Sequence, residues 1–421
     1  MYFLADSNSF FTSVEQVFDF KIRGLPIISL SSNDGTIIAL SESAKKLGLK
    51  KGTAFFKIKS FCEQNGVVVR SANFPLISDI SARVMATVGR FAPEQYCYSI
   101  DEMLLRYQNI NKVIPNLTDH ARLIRKTVYK ECKIPISVGG GSSITMAKVA
   151  NKLAKQHKSL NGALVIESED TRIRALKATM IEDIWGIGRR LAPKLSLMGF
   201  KTAYDLSQMN LNVARSQFSI NLERTVRELN GVPCYHWDEV EPDQQQIFST
   251  STLGLKIFRK EPLLQALSKH AAIAAHKARR KDLKSKAVTC FIANSAFDQA
   301  PVHLRAVHEF EFATNDTCSI TKAVTAMGSQ LFKENIAFNK VGVGLLELSN
   351  VGNTQYDLFN SNPENPALML ALDGINARYG RDTIYLGSQG TDSTPKWGAK
   401  KEYLSKEYTT NWKHIPVVNA V

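Results

Sequence analysis

The stretch QYCYSIDEMLLRY, residues 95–107, sets two adjacent carboxylates, Asp101 and Glu102, between two apolar runs. Adjacent residues of a β-strand point to opposite faces, and burial of an unpaired carboxylate is strongly unfavourable. The pair therefore requires a turn, a nearby cation or both. A hairpin turn with solvated acids is the simplest alternative, because Asp is a common turn residue.

The segments on both sides of this turn predict a βαββαβ unit. Its predicted elements, in chain order, are the strand YFLAD (2–6), a helix from residue 75 with Ile77, Ile80, Val84 and Val88 on one face, the strands QYCYSI (95–100) and MLLRY (103–107), a helix over 118–132 and the strand IPISVG (134–139). An insertion of roughly 60 residues separates the first strand from the first helix.

This topology brings a third carboxylate to the acidic pair. In a split βαβ unit the first and second strands are parallel, and the third strand lies between them in the antiparallel direction. The first strand ends at Asp6, so Asp6, Asp101 and Glu102 should meet at one sheet edge. Three carboxylates repel one another unless a cation lies among them, and Mg²⁺ binds one or two carboxylates together with substrate phosphates. The sequence therefore favours a magnesium site at this edge.

The insertion contains a hairpin signal and a short helix. LPIISLS (25–31) and GTIIAL (35–40) flank the turn Asn33-Asp34-Gly35, which is a strong hairpin signal. SESAKKLGLKKG (41–52) then predicts a short helix that ends at Gly48.

The stretch VGGGSSITMAKVANKLAK, residues 138–155, leaves a strand through three glycines and enters a helix with Ser142 or Ser143 as N-cap. Lys148 and Lys155 are seven residues apart and share a helix face. They form either a solvated face or a phosphate-binding pair beside the acidic edge. The glycines are not a Walker loop, because GxxxxGK[ST] is absent.

Two later segments carry candidate DNA contacts. Residues 181–206 have the form helix, Gly-Ile-Gly turn, helix, and the amides of Gly186 to Gly188 could bind a phosphate beside Arg189 and Arg190. Residues 247–350 predict a further α/β domain, in which a solvated basic face is the alternative to DNA binding. Its basic helix carries Lys277, Arg279, Arg280, Lys281, Lys284 and Lys286.

The length and net charge of the chain agree with a protein of several domains that binds nucleic acid. The chain has 421 residues, which predicts about two to four domains. Its 53 Lys and Arg against 39 Asp and Glu give a net charge of +14, which favours a polyanionic partner. The six scattered cysteines predict reduced thiols in a cytoplasmic protein. We expect no signal peptide and no membrane association, since no apolar run approaches the roughly 20 residues of a membrane span.

Several ordered motifs resemble those of one family. FLADSNSFFTSVE (3–15) and YSIDE (98–102) are similar to the two carboxylate motifs of the Y-family translesion DNA polymerases. SSNDGTIIALSESAKKLGLKKG (31–52), the Gly-Ile-Gly turn and ERTVRELNGVPC (223–234) resemble the UmuC subgroup, the catalytic subunits of bacterial DNA polymerase V. GINARYGRDTIYLGSQG (374–390) and YTT (408–410) extend the resemblance into the C-terminal region.

The resemblance implies an α+β multidomain, right-hand polymerase fold. The implied parts are a βαββαβ palm (1–10 and 73–165), small fingers (11–72), a helical thumb with a helix-hairpin-helix (166–232), a linker (233–246), an α/β little finger (247–350) and a C-terminal clamp- and partner-binding region (351–421).

The same resemblance implies transfer of deoxynucleotides from dNTP onto primer-template DNA with two Mg²⁺ ions. Asp6, Asp101 and Glu102, with the Ser7 carbonyl, match the metal-binding groups. Phe11 matches the steric gate, an aromatic ring under the incoming sugar that would collide with a 2′ hydroxyl.

Further positions match residues around the nucleotide. Lys45 and Lys155 match residues that hold the triphosphate, whereas Thr36, Ile38 and Gly52 match fingers positions over the nascent base pair. Small side chains there imply room for a damaged template base, and hence low fidelity and lesion bypass. Two positions depart from the subgroup: Leu40 replaces its usual Arg, and Ile144 replaces its usual Lys.

The C-terminal region implies protein partners. QYDLF (355–359) resembles the peptide by which bacterial polymerases dock on the sliding clamp, with polar contacts from Gln355 and an apolar anchor of Leu358 and Phe359. Residues 367–421 resemble the UmuC tail, which implies UmuD′ and RecA as partners.

The resemblance thus implies an error-prone translesion polymerase of the SOS response to DNA damage. Two rivals remain open. One is a catalytically weak, clamp-binding scaffold of the same fold, suggested by Leu40 and Ile144. The other is a different palm-based phosphoryl-transfer enzyme such as a nucleotide cyclase.

Overall fold

The computed structural model describes residues 1–108, 113–236, 244–353, 364–392, 395 and 397–415, and its chain divides into two units. The first unit comprises Met1–Val240 and Glu402–Val421, and the second comprises Glu241–Lys401. The second unit is therefore an insertion near the C-terminal end of the first. No helix in the described ranges is long and apolar enough to cross a membrane.

The first unit contains two sheets. Their strands are β1 (Tyr2–Ser7), β2 (Ile27–Leu30), β3 (Ile37–Leu40), β4 (Val68–Ser71), β5 (Glu94–Cys97), β6 (Glu102–Arg106), β7 (Ile136–Gly141) and β8 (Ala163–Val165). The larger sheet has the order β5-β6-β1-β7-β8. Strand β6 lies between β5 and β1 and is antiparallel to both. The predicted split βαβ topology is thereby confirmed.

Some helices of the first unit cover both faces of the larger sheet, and others pack against the smaller sheet or against one another. They are α1 (Phe10–Phe18), α2 (Glu42–Lys46), α3 (Phe55–Gln64), α4 (Phe74–Gly89), α5 (Leu117–Cys132), α6 (Ile144–Gln156), α7 (Glu169–Lys177), α8 (Leu191–Leu197), α9 (Ala203–Ser207), α10 (Leu211–Gln217) and α11 (Ile220–Leu229). Phe3 and Leu105 face the apolar sides of α4 and α5, whereas Leu4 and Leu104 belong to the core against α6. Alternation along each strand thus fills two cores, as a sheet covered on both sides requires.

The glycine run after β7 lets α6 approach the sheet closely. A Cβ at Gly139 would lie 2.1 Å from the Asn151 nitrogen and 2.3 Å from the Ala147 carbonyl oxygen, both on α6. The Asn151 amide donates to the carbonyl oxygens of Leu4 and Ser137, and the Ser143 hydroxyl caps the helix at the Met146 amide. This packing fixes the position of α6 against β1 and β7.

The smaller sheet, β3-β2-β4, forms the insertion after α1. Strands β2 and β3 are antiparallel, as the Asn33-Asp34-Gly35 signal predicts, and β4 is parallel to β2. Helix α2 ends before Gly48, whose φ of +82° suits glycine at a helix terminus.

Helices α7 to α11 form a helical part that is joined to α6 by a buried carboxylate. One Glu228 oxygen accepts from the amide and the hydroxyl of Thr145, and the other accepts from the Cys234 and Tyr235 amides. A carboxylate at the N-terminus of α6 satisfies amides that lack helical partners. The predicted helix before the Gly-Ile-Gly turn is only a 3₁₀ turn, Ile181–Asp183, whereas α8 follows it as expected.

The second unit is a four-stranded sheet with helices on one face. Its elements are β9 (Gln246–Ile257), α12 (Lys260–Arg279), β10 (Leu283–Ala293), β11 (His303–Thr314), α13 (Thr317–Leu331), β12 (Phe338–Asn350) and α14 (Pro366–Tyr379), with the strand order β11-β10-β12-β9. Helices α12 and α13 share a core with residues such as Val288, Ile292 and Val343. Phe248 and Phe291 lie on the opposite face, against Gly344 and Gly342.

Residues 402–415, hereafter the C-terminal segment, belong to the first unit and pack against its N-terminal part. The Ser71 amide donates to the Tyr403 carbonyl oxygen, and the Tyr403 amide donates to the Ser71 hydroxyl. The Tyr408 ring stacks on Phe18 at a centroid distance of 4.9 Å. The Ser405 hydroxyl donates to Glu15 over 2.9 Å.

Glu15 lies buried under the C-terminal segment, and its carboxyl should make the free energy of unfolding depend on pH. Burial raises the pKa of its carboxyl to about 7, although the Ser405 hydroxyl and the Arg70 guanidinium oppose this shift. A folded-state pKa above the unfolded value means that stabilisation is complete below about pH 4.5 and is lost as the pH rises through about 7.

In the wild type, Glu15 should lower the free energy of unfolding by roughly 2–3 kcal/mol as the pH rises across this window. Glu15→Gln should therefore remove this part of the decline. Denaturant titrations at several pH values measure this difference. Glu131→Gln, an exposed carboxylate on α5, serves as the control and should follow the wild-type curve. Parallel curves for Glu15→Gln and wild type would contradict the assignment.

Candidate active site

The turn between β5 and β6 brings the three predicted carboxylates to one edge. Asp6 and Glu102 are direct partners across β1 and β6, and the Ser7 amide donates to the Asp101 carbonyl oxygen over 2.9 Å. The Ser99 hydroxyl donates to Asp101 Oδ1 over 2.7 Å and accepts from the Glu102 amide. The hairpin thus holds Asp101 beside the end of β1, as the topology predicts.

Two lysines of α6 contact these acids. Lys155 Nζ lies 2.5 Å from Asp6 Oδ2, and Lys148 Nζ lies 2.9 Å from Glu102 Oε2. Burial raises the pKa of Asp6 to about 6, Lys155 opposes the shift, and the charges of Glu102 and Asp101 add to it. The expected mutual repulsion of the acids is therefore partly offset by protein ammonium groups.

The donor chemistry of this edge suits a hard divalent cation. Asp6, Asp101 and Glu102 offer carboxylate oxygens, the ligands that Mg²⁺ prefers, and Asp6, Ser7 and Asp101 line one cavity. Within the described ranges no group of three or more His, Cys, Asp or Glu side chains is arranged so that it could hold a metal ion. Asp6 and Glu102 each contact a lysine. The edge therefore carries the type of oxygen ligand that Mg²⁺ prefers, and two of its three carboxylates are paired with lysine.

The cavity beside this edge has a volume of about 940 Å³ and brings several predicted residues together. Its lining includes Asp6, Ser7, Phe11, Ile38, Leu40, Lys45, Asp101 and Lys155. Lys45 also contacts Glu42 over 2.5 Å. Thr36 and Gly52 lie next to β3, where Thr36 bridges to Ala54 and the Gly52 amide donates to Ile37.

Lys51 and Arg125 also line the cavity, and the sequence analysis missed them. Lys51 directly precedes Gly52, so its place beside the cavity could have been predicted from its position in the turn after α2. Arg125 lies on α5, and its position depends on helix packing that the sequence does not specify.

The two neighbouring phenylalanines of α1 have different surroundings. Phe10 is 2% exposed in the core of the larger sheet. Both residues contribute to the cavity wall, but only Phe11 is partly exposed, and its ring meets Phe74 edge to face with ring centroids 6.0 Å apart. Phe11 is therefore the ring that can meet a bound ligand.

The two departures from the UmuC pattern are apolar packing positions. Leu40 is buried with Ile28 and Ile37 in the core of the smaller sheet. Ile144 is buried with Tyr2 and Leu104 below α6. Each side chain fills a core, and neither position supplies a charge.

The predicted DNA contacts have mixed surroundings. Gly186, Gly188, Arg189 and Arg190 are exposed, and Ile187 between the glycines is buried. Lys277 is exposed on α12, and Arg280 is exposed directly after the end of this helix. The predicted basic helix is too long, because Lys284 and Lys286 lie on β10. Arg279 instead contacts Asp373 of α14 over 2.7 Å and donates to the Asn315 carbonyl oxygen, with about a tenth of its side chain exposed. This internal contact corrects the free surface position predicted for Arg279.

The clamp-like peptide with Gln355, Leu358 and Phe359 lies outside the described residues.

The open face of the second unit's sheet is a surface that the sequence analysis missed. Arg305 lies directly opposite Phe291 on this face, and Lys340 lies 6.0 Å from the Phe291 ring centroid.

Solved structures and sequence relatives agree on the class of protein. A Y-family DNA polymerase chimera of Dbh and Dpo4 matches with a TM-score of 0.66 at 21% identity, covering 83% of this chain and 99% of that chain. The class is that of the Y-family DNA polymerases.

Sequence relatives identify the family within this class. The impB/mucB/samB family matches residues 5–152, its C-terminal domain matches 244–358, and a domain of unknown function, DUF4113, matches 366–418. The UmuC protein of Salmonella typhimurium is 35% identical over 99% of both chains, and SamB of Salmonella typhimurium is 34% identical over 99% of both. The chain belongs to the impB/mucB/samB family.

Proposed function

We propose that this chain performs error-prone, template-directed translesion DNA synthesis by two-metal-ion nucleotidyl transfer in the cytoplasm, as part of the SOS response. The observation that carries this proposal is the convergence of Asp6, Asp101 and Glu102 beside a cavity lined by Phe11, Lys45 and Lys155. Membership of the impB/mucB/samB family supports it.

In the proposed mechanism Asp6, Asp101, Glu102 and the Ser7 carbonyl would hold two Mg²⁺ ions. The chemistry that such ions would supply when bound is activation of the primer 3′ hydroxyl and neutralisation of the leaving pyrophosphate. Lys155 and Lys45 lie on the cavity wall, where their ammonium groups can bind the triphosphate of a dNTP. Ser99 orients Asp101, since its hydroxyl donates to that carboxylate.

Selection of the substrate rests on shape. The Phe11 ring is proposed to exclude a 2′ hydroxyl. Thr36, Ile38 and Gly52 are proposed to leave room over the nascent base pair, and of these three residues Ile38 lines the cavity. An open site discriminates weakly between correct and incorrect pairs, because discrimination requires a penalty against the wrong partner. Low fidelity and lesion bypass follow.

Primer-template DNA is proposed to contact basic surfaces of both units. Gly186, Gly188, Arg189 and Arg190 offer backbone amides and guanidinium groups to phosphates at an exposed turn. Further candidates in the second unit are Lys277 of α12, Arg280 directly after it, and Arg305 and Lys340 of the open sheet face. The net charge of +14 supports such binding.

Primer extension by the wild-type chain with Mg²⁺ and damaged templates tests the proposal. Template-directed extension supports the polymerase. DNA and clamp binding without any extension would favour the scaffold suggested by Leu40 and Ile144. A cyclic nucleotide product formed without template would favour the cyclase.

QYDLF is proposed to bind the bacterial sliding clamp. The double change Leu358→Ala and Phe359→Ala should abolish capture by immobilised clamp, because an apolar anchor in a pocket dominates such interfaces. Leu370→Ala, a residue that is 73% exposed on α14, is the matched control and should retain capture. Undiminished capture of the double variant would contradict the motif. A UmuD′-like protein and RecA are proposed partners of residues 367–421.

A further inference from the structure

Lys148 lies in a built site between the acidic edge and the segment that leads to the Gly-Ile-Gly turn. Its ammonium is 2.9 Å from Glu102 Oε2, 4.4 Å from the ring centroid of Tyr98 and 5.5 Å from that of Trp185. Only 13% of its side chain is exposed. A cation over aromatic rings is attracted by their π faces, and the attraction strengthens as water is excluded.

The partners of Lys148 are themselves held in place. Trp185 meets Tyr235 edge to face at 5.0 Å and Tyr98 at 6.1 Å. Helix α6, which carries Lys148, is fixed to the sheet through Gly139 and Asn151. Lys148 therefore has a restrained stem and a restrained ammonium group.

The two lysines of the edge differ in surroundings. Lys155 is 33% exposed, lines the cavity and can exchange its carboxylate partner for a ligand in the cavity. Lys148 is more buried and is enclosed by rings from two separate segments. This enclosure is typical of a group that orients a neighbour.

We propose that Lys148 is a positioning residue, which holds one oxygen of Glu102 so that the other is presented to a divalent cation. The inference rests on the proposed metal-binding role of Glu102. Trp185 immediately precedes the exposed Gly186, so the ring contact links the proposed DNA-phosphate turn to the orientation of Glu102.

The sign of one measurement separates positioning from simple charge competition. A lysine that merely competes with the cation would weaken metal binding, and its removal would tighten that binding. A lysine that orients the ligand does the opposite, since loss of an outer partner typically lowers metal affinity about 10–100-fold.

Mn²⁺ binding by the full chain, followed by electron paramagnetic resonance, provides this measurement. The complex contains a dideoxy-terminated primer on template DNA and the next dNTP, so that no turnover is required. Lys148→Met should weaken Mn²⁺ binding about tenfold, whereas Lys148→Arg should weaken it by less than about threefold. Unchanged or tighter binding by Lys148→Met would overturn the proposal.

Lys152→Met is the matched control. Lys152 lies on the same helix and contacts Asp183, away from the three carboxylates. Its Mn²⁺ affinity should equal that of the wild type. DNA affinity without metal, measured by fluorescence anisotropy, should be unchanged in Lys148→Met; a parallel loss of DNA affinity would overturn the positioning role.

The link to Trp185 has its own outcome. Trp185→Leu should weaken Mn²⁺ binding, and Trp185→Phe should largely preserve it. The double variant of Lys148→Met and Trp185→Leu should bind Mn²⁺ no more weakly than Lys148→Met alone. The reason is that both changes break the same connection, which runs from Trp185 through Lys148 to Glu102. Additive losses would refute this connection. Failure of primer extension by the wild type would instead contradict the proposed function, and the binding measurement distinguishes the two.

Discussion

Asp101→Ala should lower the rate of primer extension by at least about a thousandfold, because loss of a carboxylate proposed to bind metal would remove several kcal/mol of transition-state stabilisation. The backbone contact of this residue with Ser7 does not involve its side chain, so the hairpin should persist. Single-turnover extension with saturating DNA and dNTP measures the effect.

Asp119→Ala provides the control for this experiment. Asp119 is exposed on α5, where it contacts only its helical neighbour Arg122 among the described ion pairs. Its extension rate should match that of the wild type. Near-normal extension by Asp101→Ala, with circular dichroism unchanged, would mean that the chemistry lies elsewhere.

Phe11→Ala should raise ribonucleotide incorporation relative to deoxyribonucleotide incorporation on the order of a hundredfold. The discrimination is proposed to come from a steric clash with the ring, so it should disappear when the ring is removed. A hundredfold change in discrimination corresponds to about 2.7 kcal/mol. Phe11 lines the cavity and rests on Phe74, so alanine opens space without exposing a buried polar group. The ratio of kcat/KM for each nucleotide pair measures the change.

Phe56→Ala is the matched variant, because Phe56 is a phenylalanine of α3 that is 75% exposed. Its sugar discrimination should stay at the wild-type value. Phe10→Ala should destabilise the fold by about 3–5 kcal/mol, since Phe10 is a core residue, without relaxing the discrimination. Unaltered discrimination in Phe11→Ala would remove the steric-gate assignment.

Local signals in the sequence were sufficient for the strands, the turns and the meeting of the three acids. Short continuous apolar runs, YFLA and MLL, define β1 and β6, and the turn before Glu102 follows from the chemistry of its residues. Because the βαββαβ order permits few topologies, the pairing of these strands was predictable as well.

Contacts between distant helices were not predictable in the same way. Lys148 and Lys155 were expected to share a face, but their carboxylate partners depend on how closely α6 approaches the sheet at Gly139. Arg279 belongs to a basic run that looks uniform in sequence, and only the position of α14 distinguishes it. Trp185 has no local signal, since three separate segments build its surroundings.

The C-terminal segment has a consequence for the order in which this polymerase is completed during synthesis. Ser71, Glu15 and Phe18 leave the ribosome early, whereas Tyr403, Ser405 and Tyr408 follow only after roughly 160 further residues of the second unit. At bacterial elongation rates of about 5–20 residues per second, synthesis of the second unit alone takes on the order of ten to thirty seconds. Until then the nascent first unit lacks its last contacts. A chain interrupted within the second unit would consequently leave Glu15 uncovered.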